Sequence, residues 1–237
     1  MTQRPIDASR AEKPVKTLFG WLVFRRVSLP LALFLARTPL RPSHVTGFGL
    51  TVGVAGAALL AHGGYWWALA GALLANVAKL LDAVDGELAR AKHLDTSAGY
   101  VADGLCDRLR DTAVILGCGI GASRAGDAHA LEWTLAAIVG YLAFFYVSAA
   151  APSHWREFAS ERDLDEKHSF RVGTRLRLGA GDTLAVTVLL AAAIGRPAWF
   201  VVALALAAPI AIAFKVRRLF VLRPWERERP TTAARQS

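Results

Sequence analysis

Residues 42–78 read PSHVTGFGLTVGVAGAALLAHGGYWWALAGALLANVA, with no Asp, Glu, Lys or Arg between Arg41 and Lys79. A helix needs about 20 apolar residues to cross a bilayer. This run is long enough for two, with a short connector at 62–65. Two further uncharged runs lie between Glu132 and Arg156 and between Arg196 and Lys215. A soluble domain of this size rarely needs such segments. The reading is an all-α, polytopic membrane protein.

Composition agrees. Of 237 residues, 54% are apolar and 20% charged, with a mean hydropathy of +0.35. These values exclude a disordered tail, a collagen-like fibre and a disulfide scaffold. The net charge of +9 raises nucleic acid, an anionic bilayer surface or phosphorylated ligands as partners. The basic residues lie between apolar runs and at both termini, which excludes nucleic acid and fits a lipid bilayer. Cys106 and Cys118 fall on one predicted helix about 18 Å apart, too far to bridge.

The pattern divides the chain into a flexible tail (1–14), a juxtamembrane interfacial helix (15–38), a six-helix domain (39–222) and a second flexible tail (223–237). Lys16, Arg25, Arg26 and Arg37 interrupt the apolar residues of 15–38, and the paired arginines disfavour a seventh span. The six spans are expected near 45–62, 65–90, 96–122, 130–152, 178–195 and 197–220. Gly47, Gly49, Gly53 and Gly56 offer a surface for close helix packing.

Orientation follows from charge. With both termini cytoplasmic, the outer connectors hold only Arg124 and Arg196, while the 153–177 connector holds six basic residues. Tyr65, Trp66, Trp67, Trp133, Trp199 and Phe200 would then form an outer aromatic belt, and Trp21, Trp155 and Trp225 an inner one.

The chemistry is concentrated in 82–107. Asp82 and Asp85 share a helix face with Gly86 and Ala89, and Asp103 and Asp107 share one on the next helix, a turn beyond Gly99. The short link at 91–95 makes the two helices antiparallel neighbours, so four carboxylates converge. Like charges in a partly desolvated place need compensation. Divalent cations supply it, and all-oxygen ligands favour Mg²⁺, Mn²⁺ or Ca²⁺ over Zn²⁺. Cys106 is expected on another face. Gly86, Ala89 and Gly99 leave room for a group as large as a nucleotide diphosphate, and Arg90 offers a fork suited to phosphate. The competing readings are ion pairs with Arg90, Arg108 and Arg110, or an ion path across the bilayer.

Asp82-x-x-Asp85-Gly86-x-x-Ala89-Arg90, then eight residues, then Gly99-x-x-x-Asp103-x-x-x-Asp107 resembles the CDP-alcohol phosphotransferase signature at every fixed position. The stretch 38–46, TPLRPSHVT, looks like that family's approach to its first span, with Ser43 where Asn is usual. The resemblance covers roughly residues 15–220 and is weakest after 125.

The resemblance implies transfer of a phosphoalcohol group from a CDP-linked donor to an acceptor hydroxyl, with release of CMP. It implies two divalent cations, Mg²⁺ or Mn²⁺, held by Asp82, Asp85, Asp103 and Asp107, in a two-metal in-line mechanism. Asp107 is its candidate general base. Asp82, Gly86, Ala89, Arg90 and Gly99 would line the nucleotide and diphosphate pocket. It further implies a homodimer, with the active site at the cytoplasmic face of the inner membrane. CDP-diacylglycerol is the generic donor. The wording of the motif leans toward branches that use inositol phosphate, with glycerol phosphate next. Arg156, Arg175 and Arg217 are the candidates for binding a small, polar, phosphorylated acceptor. A soluble CDP-polyol donor, a prenyltransferase-like enzyme and a cation transporter are the alternatives.

Overall fold

A computed structural model describes residues 25–154, 169–172 and 176–222. Seven helices are present among them: α1 (Arg25–Ala36), α2 (Pro42–His62), α3 (Tyr65–Ala91), α4 (Ser97–Arg124), α5 (Ala130–His154), α6 (Ala180–Ala193) and α7 (Pro197–Leu222). The tails at 1–14 and 223–237, the first ten positions of the expected interfacial helix, and Trp21, Trp155 and Trp225 lie outside the described residues.

The all-α architecture carries one local addition. An antiparallel hairpin, β1 (Ser169–Val172) and β2 (Leu176–Gly179), pairs Phe170 with Leu178 and Arg171 with Arg177. Apolar residues alternate with arginine on both strands, the period-two pattern of a strand.

Among the described residues, four stretches are long and apolar enough to cross a bilayer: Pro42–His62, Tyr65–Ala91, Ala130–Ser148 and Pro197–Arg217. The other two expected spans differ for physical reasons. Helix α4 has 28 residues, but its N-terminal part up to Asp111 carries Asp103, Asp107, Arg108, Arg110 and Asp111. Helix α6 has only 14 residues, about 21 Å long against a hydrocarbon core of about 30 Å. Residues 176–179, at the junction of the expected connector and fifth span, belong to β2.

Small residues set the packing. Helix α2 packs closely on both α3 and α4, whereas α3 and α4 touch each other little, so the expected direct pairing of the last two is thin. A Cβ on Gly117 would overlap the Ala57 carbonyl, one on Gly121 the Leu60 carbonyl, and one on Gly71 the Gly56 carbonyl. Backbones at that distance leave no room for side chains. Gly49, Gly53 and Gly56 are buried as expected, but Gly47 is exposed, with nothing within 4 Å of a Cβ placed there.

The main core joins α2 through α7 around Leu60, Val114, Ile115, Tyr141, Val188 and Val201. A second cluster fixes the other end of α3. Ala32 and Ala36 of α1 pack with Val45 of α2 and with Val84, Leu88 and Ala91 of α3. Asn76 ties α3 to α6 by donating to the Ala185 carbonyl at 2.9 Å. Trp66, Trp199 and Tyr65 are exposed at helix ends, as a belt requires, but Phe200 is 4% exposed and belongs to the core.

Two glycines separate packing from helix propensity. Gly117→Ala improves propensity yet should lower the melting temperature in detergent, by an overpacking cost of about 1–3 kcal/mol. Gly47→Ala should leave it unchanged or raise it. A circular-dichroism melt of both variants checks this, and equal melting temperatures would contradict the close α2–α4 contact.

Candidate active site

Helix α3 presents two faces at its C-terminal end. Val84, Leu88 and Ala91 hold it against α1, and Asp82 and Asp85 face the α2–α4 side. Helix α4 begins at Thr96, whose hydroxyl caps it by accepting from the Gly99 amide at 3.0 Å. Asp103 and Asp107 follow one and two turns later. Together with Thr46, Cys106 and Arg110, all four aspartates line one narrow cavity.

Asp82, Asp85 and Asp103 each place one carboxylate oxygen within 4.8 Å of the others. Thr46, near the start of α2, donates to Asp85 Oδ2 at 2.6 Å. Asp85 is 3% exposed, so this hydroxyl fixes a buried carboxylate. Asp103 Oδ1 is buried with no hydrogen-bond partner. An unmet buried carboxylate oxygen beside two other carboxylates, all hard oxygen donors, fits a divalent cation of the Mg²⁺ or Mn²⁺ type.

Asp107 adjoins Asp82 but is not part of that trio. Its carboxylate pairs with Arg110, lies 3.4 Å from the Arg108 guanidinium, and lies 3.7 Å from the Lys79 ammonium. Lys79 also donates to Asp82 Oδ2 at 2.6 Å. Arg110 extends the network to Asp111 at 3.1 Å, and the Tyr141 hydroxyl donates to Asp111 Oδ2 at 2.6 Å. Arg108 lies 3.5 Å from the centre of the Phe145 ring, a cation–π contact that anchors it to α5.

The remaining candidates are placed unevenly. A Cβ on Gly86 would come 3.3 Å from the Arg90 guanidinium, so the glycine leaves space for that side chain. Ala89 is half-buried, and Gly99 is exposed in the first turn of α4. Cys106 lines the cavity, against expectation, because it sits three residues after Asp103 and shares its face. Both cysteines are free thiols. Arg217 is exposed near the end of α7, while Arg156 and Arg175 lie outside the described residues.

Sequence reasoning missed Lys79, Thr46, Asp111 and Tyr141. Lys79 and Asp111 carried a usable signal, one turn before Asp82 and one turn after Asp107. Thr46 closes the family-like stretch 38–46, but nothing there points to Asp85, 39 residues away; Tyr141 carried no signal, because its contact spans 30 residues.

Residues 40–213 match the profile of the CDP-alcohol phosphatidyltransferase family. Phosphatidylinositol phosphate synthases of Mycobacterium bovis and Mycobacterium tuberculosis are 40% identical over 94 residues, 40% of this chain and 42% of theirs. The chain thus spans about two-fifths of the length of these curated relatives. A bifunctional IPC transferase and DIPP synthase of Rubrobacter xylanophilus is 34% identical over 134 residues, 54% of this chain and 29% of that protein. Among solved structures, the M. tuberculosis phosphatidylinositol phosphate synthase with CDP-DAG bound superposes with a TM-score of 0.65 at 25% identity, covering 82% of this chain and 94% of that one. The same enzyme in complex with manganese and citrate gives 0.64 at 25% identity, covering 82% of this chain and 89% of that one. The profile match spans most of the chain, and the chain belongs to the CDP-alcohol phosphatidyltransferase family.

Proposed function

We propose that this protein transfers a phosphatidyl group from CDP-diacylglycerol to the hydroxyl of a small phosphorylated acceptor, inositol phosphate in the first instance, and releases CMP. The observation that carries the reading is the trio Asp82, Asp85 and Asp103, with ligand oxygens within 4.8 Å and an unmet buried oxygen on Asp103. The named relatives support the donor and the acceptor. The proposed setting is six membrane passes within residues 39–222, both termini and the site cytoplasmic, and a homodimer in the inner membrane. The strong bias of basic residues to one side supports that orientation.

Asp82, Asp85, Asp103 and Asp107 would hold two divalent cations, Mg²⁺ or Mn²⁺. Cations bound there would supply positive charge against the donor diphosphate and so favour departure of CMP in an in-line displacement. The chain's own residues do the rest. Thr46 holds Asp85 in one orientation. Gly86 clears space beside Arg90, whose guanidinium is suited to a phosphate oxygen. Gly99 and Ala89 would complete the nucleotide pocket. Asp107 is the proposed proton acceptor for the acceptor hydroxyl. Lys79, Arg108 and Arg110 all contact it, so that role requires these contacts to rearrange when substrate binds. Arg217, with Arg156 and Arg175, would bind the acceptor phosphate.

Purified protein in detergent, given Mg²⁺ and CDP-diacylglycerol, should release CMP only when an acceptor is added. Inositol phosphate should surpass glycerol phosphate, serine and free inositol. Release with no acceptor preference, or none with any acceptor from folded protein, would contradict the reading. Activity only with a soluble CDP-polyol would move the donor assignment. Chelation with EDTA should stop turnover, and added Mn²⁺ or Mg²⁺ should restore it.

Asp82→Asn, Asp85→Asn and Asp103→Asn should each bring CMP release below detection while the protein still inserts into membranes. Thr46→Val should reduce metal affinity or turnover about 10–100-fold, the scale for groups that orient a metal ligand. Near-normal rates in any of the three aspartate variants would count against the cation site.

A further inference from the structure

One side of the carboxylate cluster already contains cations. The Lys79 ammonium lies 2.6 Å from Asp82 Oδ2 and 3.7 Å from Asp107 Oδ2. It therefore stands between the first aspartate of α3 and the last of the four on α4. The start of α6 closes over it, since a Cβ on Gly181 would come 3.2 Å from Lys79 Nζ. Arg110 reinforces the same side, contacting Asp107, Asp111 at 3.1 Å and Asp82 at 3.8 Å. The other side is different. Asp85 accepts from the neutral Thr46 hydroxyl, and Asp103 Oδ1 is buried with no hydrogen bond.

Charge compensation follows this asymmetry. Among the described side chains, Lys79, Arg108 and Arg110 meet Asp82, Asp107 and Asp111, and no ion pair reaches Asp85 or Asp103. Buried charge is stable only when compensated, so a first divalent ion belongs with Asp85 and Asp103, whereas one beside Asp107 competes with the Lys79 ammonium for the same oxygens.

We propose that Lys79 is a resident counter-ion occupying the second-cation position between Asp82 and Asp107. Before donor binds, the protein holds one divalent cation, at Asp82, Asp85 and Asp103. Lys79 is thereby a positioning residue that orients Asp82 and Asp107 without metal. This rests on the reading of the site as a divalent-cation centre.

The test is the number of Mn²⁺ ions bound per chain, from the electron-paramagnetic-resonance signal of free Mn²⁺ during titration of the full-length protein in detergent without nucleotide. The expected result is one Mn²⁺ for the wild type, two for Lys79→Met, and one for Lys79→Arg, which keeps the charge. Two Mn²⁺ in the wild type would overturn the proposal and leave the cation-site reading standing. One Mn²⁺ in folded Lys79→Met would overturn it as well. No Mn²⁺ in the wild type would overturn the cation site itself, and the proposal with it. The wild-type titration decides even where Lys79→Met does not fold, and Lys79→Gln provides a second neutral variant.

Discussion

Bringing carboxylates of two helices into one narrow cavity is the constraint on which this structure depends. Left alone, the four aspartates of α3 and α4 would repel one another in surroundings that screen charge poorly. The fold resists that repulsion mechanically and electrostatically. Mechanically, α1 grips one face of α3 through Ala32, Ala36, Val84 and Leu88, while glycine contacts press α2 onto α3 and α4. Electrostatically, Lys79 and Arg110 take up Asp82, Asp107 and Asp111. What no described ion pair meets is Asp85 and Asp103, and that remaining charge, beside Asp82, fits the site to a cation.

The same constraint shapes the membrane-facing part of the fold. Helix α4 has the length of a span but carries five charged residues between Asp103 and Asp111. Asp107, Arg108, Arg110 and Asp111 are tolerable there because partners on α3, α4 and α5 meet them. Arg110 is 5% exposed and Asp111 4% exposed, each with an opposite charge beside it. Chemistry thus occupies the place that hydrophobicity would otherwise fill, and one helix of the expected six departs from span composition for that reason. The other departure, α6, is short because a hairpin takes its first residues.

Much of this was legible in the sequence. The uncharged run at 42–78 gave two helices, and the fixed spacing from Asp82 to Asp107 gave the carboxylate cluster, since both depend on local periodicity. Gly49, Gly53 and Gly56 were readable as packing positions, but Gly47 was not distinguishable from them, because its exposure depends on which way α2 is turned. Phe200 reads like a belt residue and packs in the core for a similar reason. The wedge of α2 between α3 and α4 was hidden, as was the Thr46 hydrogen bond to Asp85. Both are long-range contacts with no sequence period. Lys79 was visible one turn before Asp82, yet its meaning depends on Asp107 coming from another helix.

The central claim is that a cation held by Asp85 and Asp103 meets the diphosphate of a CDP-linked donor. Phosphorus NMR of that donor, with Mn²⁺ kept below the protein concentration, tests it directly. The account predicts strong paramagnetic broadening of both diphosphate resonances with the wild-type protein, and its loss with Asp85→Asn and Asp103→Asn. Equal broadening in the wild type and both variants would contradict it.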